Sequence, residues 1–106
     1  MVDNKLLIGK KIKEIRAKYK ITQDAFSEMI GLETSSLSNI ETGKSYPSMQ
    51  TMLNIMDKFN INPNDFFNFA YLDKDENLEK EMIEIIQNQP YDKKQILYRI
   101  IKQFAL

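Results

Sequence analysis

The chain has 106 residues, of which 42% are apolar and 28% charged, and this is the composition of one ordinary globular domain or slightly more. It contains neither cysteine nor histidine, which excludes disulfides, thiol and imidazole catalysis and the usual zinc ligands, so we expect no enzyme, no metal site and no cofactor. Its 15 basic and 15 acidic side chains cancel, so any affinity for nucleic acid must come from specifically placed groups rather than from bulk charge.

The sequence has no sign of export or of membrane insertion. Its longest uninterrupted apolar run has four residues, whereas a membrane span requires roughly 20. The N-terminus also lacks the apolar core of a signal peptide. We therefore expect a cytoplasmic protein that makes no membrane contact.

Apolar residues recur at helical rather than alternating spacing, which predicts an all-α fold. A first amphipathic helix is expected from about Leu6 to Tyr19, and its outer face has most of the basic excess of the chain. Thr22 is a suitable N-cap for a short second helix that ends at Gly31, since glycine tolerates the left-handed conformation of a C-terminal stop. The inward-facing residues predicted for these two helices are Ile8, Ile12, Ile15, Tyr19, Phe26, Met29 and Ile30.

Three more helices complete a predicted domain over residues 1–68. The third, at about residues 34–41, combines inward Leu37 and Ile40 with an outer face of small polar side chains. The N-caps predicted for the fourth and fifth helices are Ser48 and Asn62. The apolar stripe predicted for the fourth helix consists of Met49, Met52, Leu53, Met56 and Phe59.

Residues 69–106 predict a second part, a C-terminal helical hairpin. Two amphipathic stretches are separated by Pro90, and a capping box of Asp92 and Gln95 is expected to begin the second of them. The first helix is acidic and the second basic, so antiparallel pairing of the two is electrostatically tolerable. The apolar stripe of the second helix consists of Ile96, Leu97, Ile100, Ile101 and Phe104.

A more specific pattern joins the second and third helices. The run from Ile21 to Leu32 is followed by the stretch from Leu37 to Gly43 and then by Pro47 and Ser48. This pattern resembles the helix-turn-helix of the Cro/repressor-like (XRE) family, and the match extends over about residues 8–67. The resemblance implies a five-helix lambda-repressor-like domain that binds double-stranded DNA by placing its third helix in the major groove.

The resemblance also implies which side chains contact DNA. The residues at base-contacting positions are Gln23, Thr34, Ser35, Ser38 and Asn39. Hydroxyl and amide side chains suit this role, because they hydrogen-bond base edges. The residues in the matching phosphate-contacting loop are Thr42, Lys44, Tyr46 and Ser48. The alternative interpretation of all these positions is an ordinary solvated surface.

Other residues match the scaffold of the family or depart from it. Arg16 and Glu41 match an ion pair that ties the first helix to the end of the third, which is mainly a structural role. Glu33 occupies a position where a capping serine or threonine is usual, and Asp24 adds a second negative charge near the surface that faces DNA.

Together these features predict a transcription regulator, most simply a repressor, that recognises a palindromic operator as a homodimer. One recognition helix contacts only a few base pairs, and the apolar stripe of the hairpin is too wide to be buried within it. We therefore expect residues 69–106 to form the dimer interface through that stripe. The alternative is an antitoxin or another protein-interaction module whose C-terminal helices bind a different protein, an interpretation that the neutral net charge favours.

Overall fold

The computed structural model describes residues 3–72 and 77–105, and helices make up all the regular structure within these ranges. The all-α prediction is therefore confirmed. The α-helices are α1 (Asn4–Lys18), α2 (Gln23–Ile30), α3 (Thr34–Glu41), α4 (Met49–Lys58), α5 (Pro63–Phe66), α6 (Asn77–Gln87) and α7 (Tyr91–Ala105), with a 3-10 turn at Ala70–Leu72. The described residues form two compact units, one of α1 to α5 with the 3-10 turn and one of α6 and α7. Each described helix is too short or too polar to cross a bilayer.

Polar capping residues begin three helices of the first unit at the positions that the sequence predicted. Thr22, Ser48 and Asn62 each accept a hydrogen bond from the backbone amide three residues later, at 3.1, 3.0 and 2.8 Å. The start of α3 differs, because Glu33 occupies its N-cap position and makes no capping bond with its side chain. The first turn of α3 therefore depends on contacts from elsewhere in the fold.

The first unit is built around one apolar core. Its buried members are Ile12, Ile15, Phe26, Ile30, Leu37, Ile40, Ile55, Met56 and Phe66. Half-buried Phe59 closes the core at one side by stacking on Phe26, with ring centroids 5.4 Å apart. Since every helix from α1 to α5 contributes a buried side chain, the unit has a core of its own that fixes the orientation of α3.

The structure corrects part of the predicted core. The side chains predicted to face inward but found exposed are Tyr19, Met29, Met49 and Leu53. In α4, Thr51 and Ile55 are buried while Met49 is 62% exposed, and in α2 Ser27 is buried while Met29 is exposed. A short helix can have apolar residues along two adjacent lines of its surface. The helices that pack against it then determine which of these side chains are buried. Here α2 packs against both α3 and α4, and these contacts decide which side chains at the margins of the predicted faces are buried.

Helices α1 and α3 approach each other closely at Gly9. This glycine is buried, and a Cβ atom added to it would overlap the carbonyl oxygen of Ile40 in the last turn of α3. The backbone of α1 therefore lies directly against the backbone of α3. Only a residue without a side chain permits this contact. The contact therefore fixes how closely the end of α3 approaches α1.

The 3-10 turn is fastened to α1 by Tyr71. Its hydroxyl accepts a hydrogen bond from Lys11 Nζ at 2.8 Å and donates to the carboxylate of Glu14 at 2.8 to 2.9 Å. Partial burial raises the pKa of Tyr71 above its usual value, and its two charged partners act in opposite directions. These contacts place residues 70–72 in the first unit.

The second unit is a helical hairpin of α6 and α7. Ile86 in α6 and Leu97 in α7 are half-buried, whereas most of their apolar neighbours are exposed. The capping box predicted at Asp92 and Gln95 is wrong, because α7 begins at Tyr91 and Asp92 lies within its first turn. Pro90 lies in the turn between the two helices. Asp92 does not cap α7 but stabilises its first turn, because its negative charge lies near the positive end of the helix dipole.

Candidate nucleic-acid interface

Helices α2 and α3 form a compact bihelical unit around a short turn. Helix α2 ends at Gly31, which has the left-handed backbone angle φ of 75°, and the amide of Leu32 donates to the carbonyl of Ser27 at 2.8 Å. Leu37 and Ile40 then bury one side of α3 in the core. The opposite side of α3 faces outward and is composed of small polar residues.

The outer face of α3 presents the four residues that the sequence placed there. Thr34, Ser35 and Asn39 are exposed, and Ser38 is half-buried. Among the hydrogen bonds of the described residues, none involves the side chain of Ser35 or of Asn39. Both side chains therefore keep their full hydrogen-bonding capacity for an external partner.

Thr34 is engaged within the protein. Its hydroxyl donates to Oδ1 of Asp24 in the first turn of α2 at 2.7 Å. This bond links the starts of the two helices. It also orients the carboxylate of Asp24 toward α3. The threonine hydroxyl keeps its acceptor capacity, and its methyl group remains available for an apolar contact.

Arg16, Glu41 and Gln23 form a cluster at the end of α3. Arg16 donates from Nε to Glu41 Oε2 at 2.8 Å and from a terminal nitrogen to Oε1 at 3.0 Å, so the ion pair is bidentate. A further nitrogen of Arg16 donates to the carbonyl of Ile21 at 3.0 Å. The side chain of Glu41 is only 2% exposed, and its hydrogen bonds raise the pKa of Arg16 above its usual value.

Gln23 belongs to this cluster as well as to the surface. Its amide nitrogen donates to Glu41 Oε1 at 2.9 Å. The sequence comparison with the family placed Gln23 among the base-contacting residues and did not anticipate this bond, because the two residues are 18 positions apart. With one N–H bound to Glu41, the second N–H and the amide oxygen are left for another contact.

The loop after α3 contains four predicted phosphate contacts in two different situations. Lys44 and Tyr46 are exposed and extend from the surface. Thr42 instead donates its hydroxyl to the carbonyl of Ser38 at 2.8 Å, and Ser48 uses its hydroxyl to cap α4. The loop thus offers one cation and one phenol at its tip, while its two ends are tied to the flanking helices.

Lys5 is a residue of this surface that the sequence did not single out. Its ammonium group lies 5.8 Å from the ring centroid of Tyr46, within the range of a cation–π contact. The loop is held there because Gly43 packs against Leu6, where an added Cβ would lie 2.9 Å from the Leu6 Cδ1 atom. No local sequence signal links Lys5 to a loop some 40 residues away.

The predicted dimer stripe lies on α7 of the second unit. Ile96, Ile100, Ile101 and Phe104 are exposed, the last by 92%, whereas Leu97 is half-buried. No group of acidic side chains close enough to hold a metal ion occurs among residues 3–72 and 77–105.

Comparisons with known proteins agree on the helix-turn-helix. A family model described as a helix-turn-helix domain matches residues 9–72. The antitoxin PezA of Streptococcus pneumoniae is 38% identical over 55 residues, which are 52% of this chain and 35% of that protein. An uncharacterised HTH-type transcriptional regulator of Archaeoglobus fulgidus is 34% identical over 70 residues, covering 66% of this chain and 94% of that protein.

A solved structure extends the agreement to the fold. The restriction-modification controller protein C.AhdI from Aeromonas hydrophila matches with a TM-score of 0.57 and 21% sequence identity, over 62% of this chain and the whole of that one. The matched family segment begins at the buried Gly9 and ends with the 3-10 turn, so it coincides with most of the first unit. The chain belongs to the XRE-like helix-turn-helix family of DNA-binding transcription regulators.

Proposed function

We propose that the protein is a repressor that binds a palindromic operator as a twofold dimer, with α3 of each protomer in the major groove. The observation that supports this most directly is the division of α3 into a buried apolar side and an outer polar side with free Ser35 and Asn39. A groove about 12 Å wide accommodates such a helix. The proposed base contacts are Ser35, Ser38 and Asn39, with Thr34 and the free side-chain amide atoms of Gln23 at the edge of the site.

The loop after α3 is proposed to position the helix rather than to select the sequence. Lys44 supplies a charge at its tip, and Tyr46 supplies a hydroxyl beside it. Thr42 and Ser48 use their hydroxyls in hydrogen bonds within the protein. We therefore assign them weaker phosphate contacts, made through their remaining polar atoms. Contacts to phosphate fix orientation and register without distinguishing bases.

The two roles separate in a binding experiment. An operator is first selected from random duplex DNA, and the affinities of variants are measured for that site and for unrelated duplexes. We expect Ser35→Ala and Asn39→Ala to relax preference by about 1 to 3 kcal/mol per lost contact. Asn64→Ala, which removes an exposed amide from α5, serves as the control and leaves preference unchanged.

The phosphate role has a different signature. We expect Lys44→Ala to weaken operator and unrelated duplexes alike and to reduce the salt dependence of binding by about one unit of slope. Lys13→Ala removes an exposed cation from α1 as the matched control. Equal losses for Ser35, Asn39 and Lys44 variants on all duplexes would contradict the assignment of roles.

A second candidate function is supported by the similarity to the antitoxin PezA. In that case the apolar hairpin binds a different protein, and DNA binding is secondary. The chain covers 35% of the antitoxin's length, so the similarity concerns a segment of that protein. Light scattering of the purified chain separates the candidates: a dimer of this chain alone supports the regulator, and a stoichiometric complex with a different protein from the native host supports the antitoxin.

A further inference from the structure

The hairpin has an apolar surface that shares Leu97 and Ile101 with the predicted dimer stripe and extends beyond it to Tyr91 and Tyr98. A groove of about 620 Å³ runs along α7 and is lined by Tyr91, Leu97, Tyr98 and Ile101, with Ile86 of α6 at its edge. Tyr91 and Tyr98 are largely exposed, although their rings are among the largest apolar surfaces of the second unit. Such an exposed apolar surface marks an interaction site.

Basic side chains border this groove on both sides. Lys94 and Arg99 line it, and they flank the line of Tyr91 and Tyr98 on the helical surface. Helix α7 as a whole has four basic residues and one acidic residue, a net charge of +3. A partner that fits the groove therefore combines an apolar ridge with acidic side chains beside it.

Helix α6 has this combination. Leu78, Met82 and Ile85 form an exposed apolar line at the spacing of successive helical turns. Glu79 and Glu81 lie on either side of that line. With three glutamates and one lysine, α6 has a net charge of −2, opposite to that of α7.

We propose that the groove of α7 binds α6 of a second copy of this chain. A twofold axis repeats the contact, so each protomer donates its α6 and receives its partner's, and two oppositely charged helix pairs form. Pairing α7 with α7 of the second copy would instead place two helices of net charge +3 side by side. This inference rests on the proposed dimer and specifies which helices meet in it.

Charge reversal on each side of the contact provides the test. One variant has Glu79→Lys and Glu81→Lys in α6, and the other has Lys94→Glu and Arg99→Glu in α7. Each variant alone brings like charges together at both contacts, and we expect the dissociation constant of its homodimer to rise about tenfold or more. Mixing the two restores opposite charges at both contacts, so a heterodimer forms about as tightly as the original homodimer.

Analytical ultracentrifugation and native mass spectrometry measure the self-association of each variant and the formation of the heterodimer. Circular dichroism verifies that each variant keeps its helix content. Glu28→Lys with Asp57→Lys makes the same charge change on the first unit and leaves dimerisation unchanged. If the α6 variant were to self-associate like the original chain, or the mixture were to form no heterodimer, the α6 to α7 pairing would be overturned while the dimer itself stood. A full-length chain that binds its operator tightly as a monomer would overturn the proposed dimer instead. Glu79→Gln with Glu81→Gln should give an intermediate dissociation constant.

Discussion

At the scale of single residues, Glu41 determines how the recognition helix α3 is held. Its buried carboxylate accepts hydrogen bonds from both Arg16 and Gln23, so it joins α1, α2 and α3 at one point. An ion pair with this geometry is stable because both oxygens are satisfied. The cluster supports α3 on the side opposite its outer polar face, and the carboxylate of Glu41 is shielded from solvent.

Loss of Arg16 should therefore reduce the stability of the fold more than it changes the preference for a DNA sequence. We expect Arg16→Ala to lower the free energy of unfolding by about 3 kcal/mol, because it leaves the carboxylate of Glu41 buried with Gln23 as its remaining partner. Chemical denaturation measures the loss. A double-mutant cycle with Glu41→Ala should give a coupling free energy clearly different from zero. An Arg16→Ala chain as stable as the original would contradict the structural role of the pair.

Ser27 presents the opposite case, a buried polar atom without a partner. Its hydroxyl oxygen has no hydrogen-bond partner among residues 3–72 and 77–105, and the residue is 1% exposed. Ser27→Ala removes the unsatisfied group with little change in volume, so we expect stability to rise by up to about 1 kcal/mol. Thermal and chemical denaturation measure the gain. Ser35→Ala is the control, since its hydroxyl is exposed, and a destabilised Ser27→Ala chain would indicate that the hydroxyl is bonded.

At the scale of elements, the approach of α1 to α3 depends on a backbone contact. Helix propensity alone favours alanine over glycine in the middle of α1, by about 1 kcal/mol. The carbonyl of Ile40 leaves no room for a Cβ at Gly9, so the two helices must separate to accept one. For an exchange of Gly9 to alanine, helix propensity therefore raises the free energy of unfolding, whereas the packing against α3 lowers it.

We expect packing to prevail, and Gly9→Ala to destabilise the first unit by about 1 to 3 kcal/mol. Denaturant unfolding measures the change, with Lys13→Ala as an exposed control on the same helix. The same displacement moves the last turn of α3, so operator affinity should fall together with stability. A higher melting temperature for Gly9→Ala would mean that the helices lie farther apart than described.

The hairpin differs from the first unit in how it is stabilised. Its helices are α6, of 11 residues, and α7, of 15 residues. Isolated helices of this length are marginal in water. No residue of α7 is buried in the described structure, so contacts within the hairpin contribute little burial. Association with a second copy supplies the missing apolar contact in the proposed dimer.

At the scale of the whole molecule, the two units should therefore separate in function. We expect a chain truncated after Leu72 to remain folded, because its core is complete within residues 3–72. It should be monomeric and bind its operator far more weakly, since the loss of dimerisation removes the second recognition helix. Sedimentation velocity and operator titration measure both effects against the full-length chain. A truncated chain that remained dimeric would move the dimer interface into the first unit.

Local patterns in the sequence were sufficient for the helices of the first unit. The boundaries of α2 and α3 follow from a capping threonine, a terminal glycine and the spacing of Phe26, Leu37 and Ile40, all of which act within one or two helical turns. The same patterns were insufficient to predict which side chains of α4 are buried. Met49 was predicted to be buried and is exposed, whereas Thr51 is buried, because burial there depends on the neighbouring helices.

The all-α class, the helix-turn-helix and the polar character of the outer face of α3 could be predicted from the sequence, because they depend on short-range spacing and on a recognisable family pattern. Three contacts became visible with the folded chain: Gln23 is bound to Glu41, Thr34 is bound to Asp24, and Lys5 lies beside Tyr46. These contacts join residues 10 to about 40 positions apart. Their partners are chosen by how the helices pack, which no local spacing encodes.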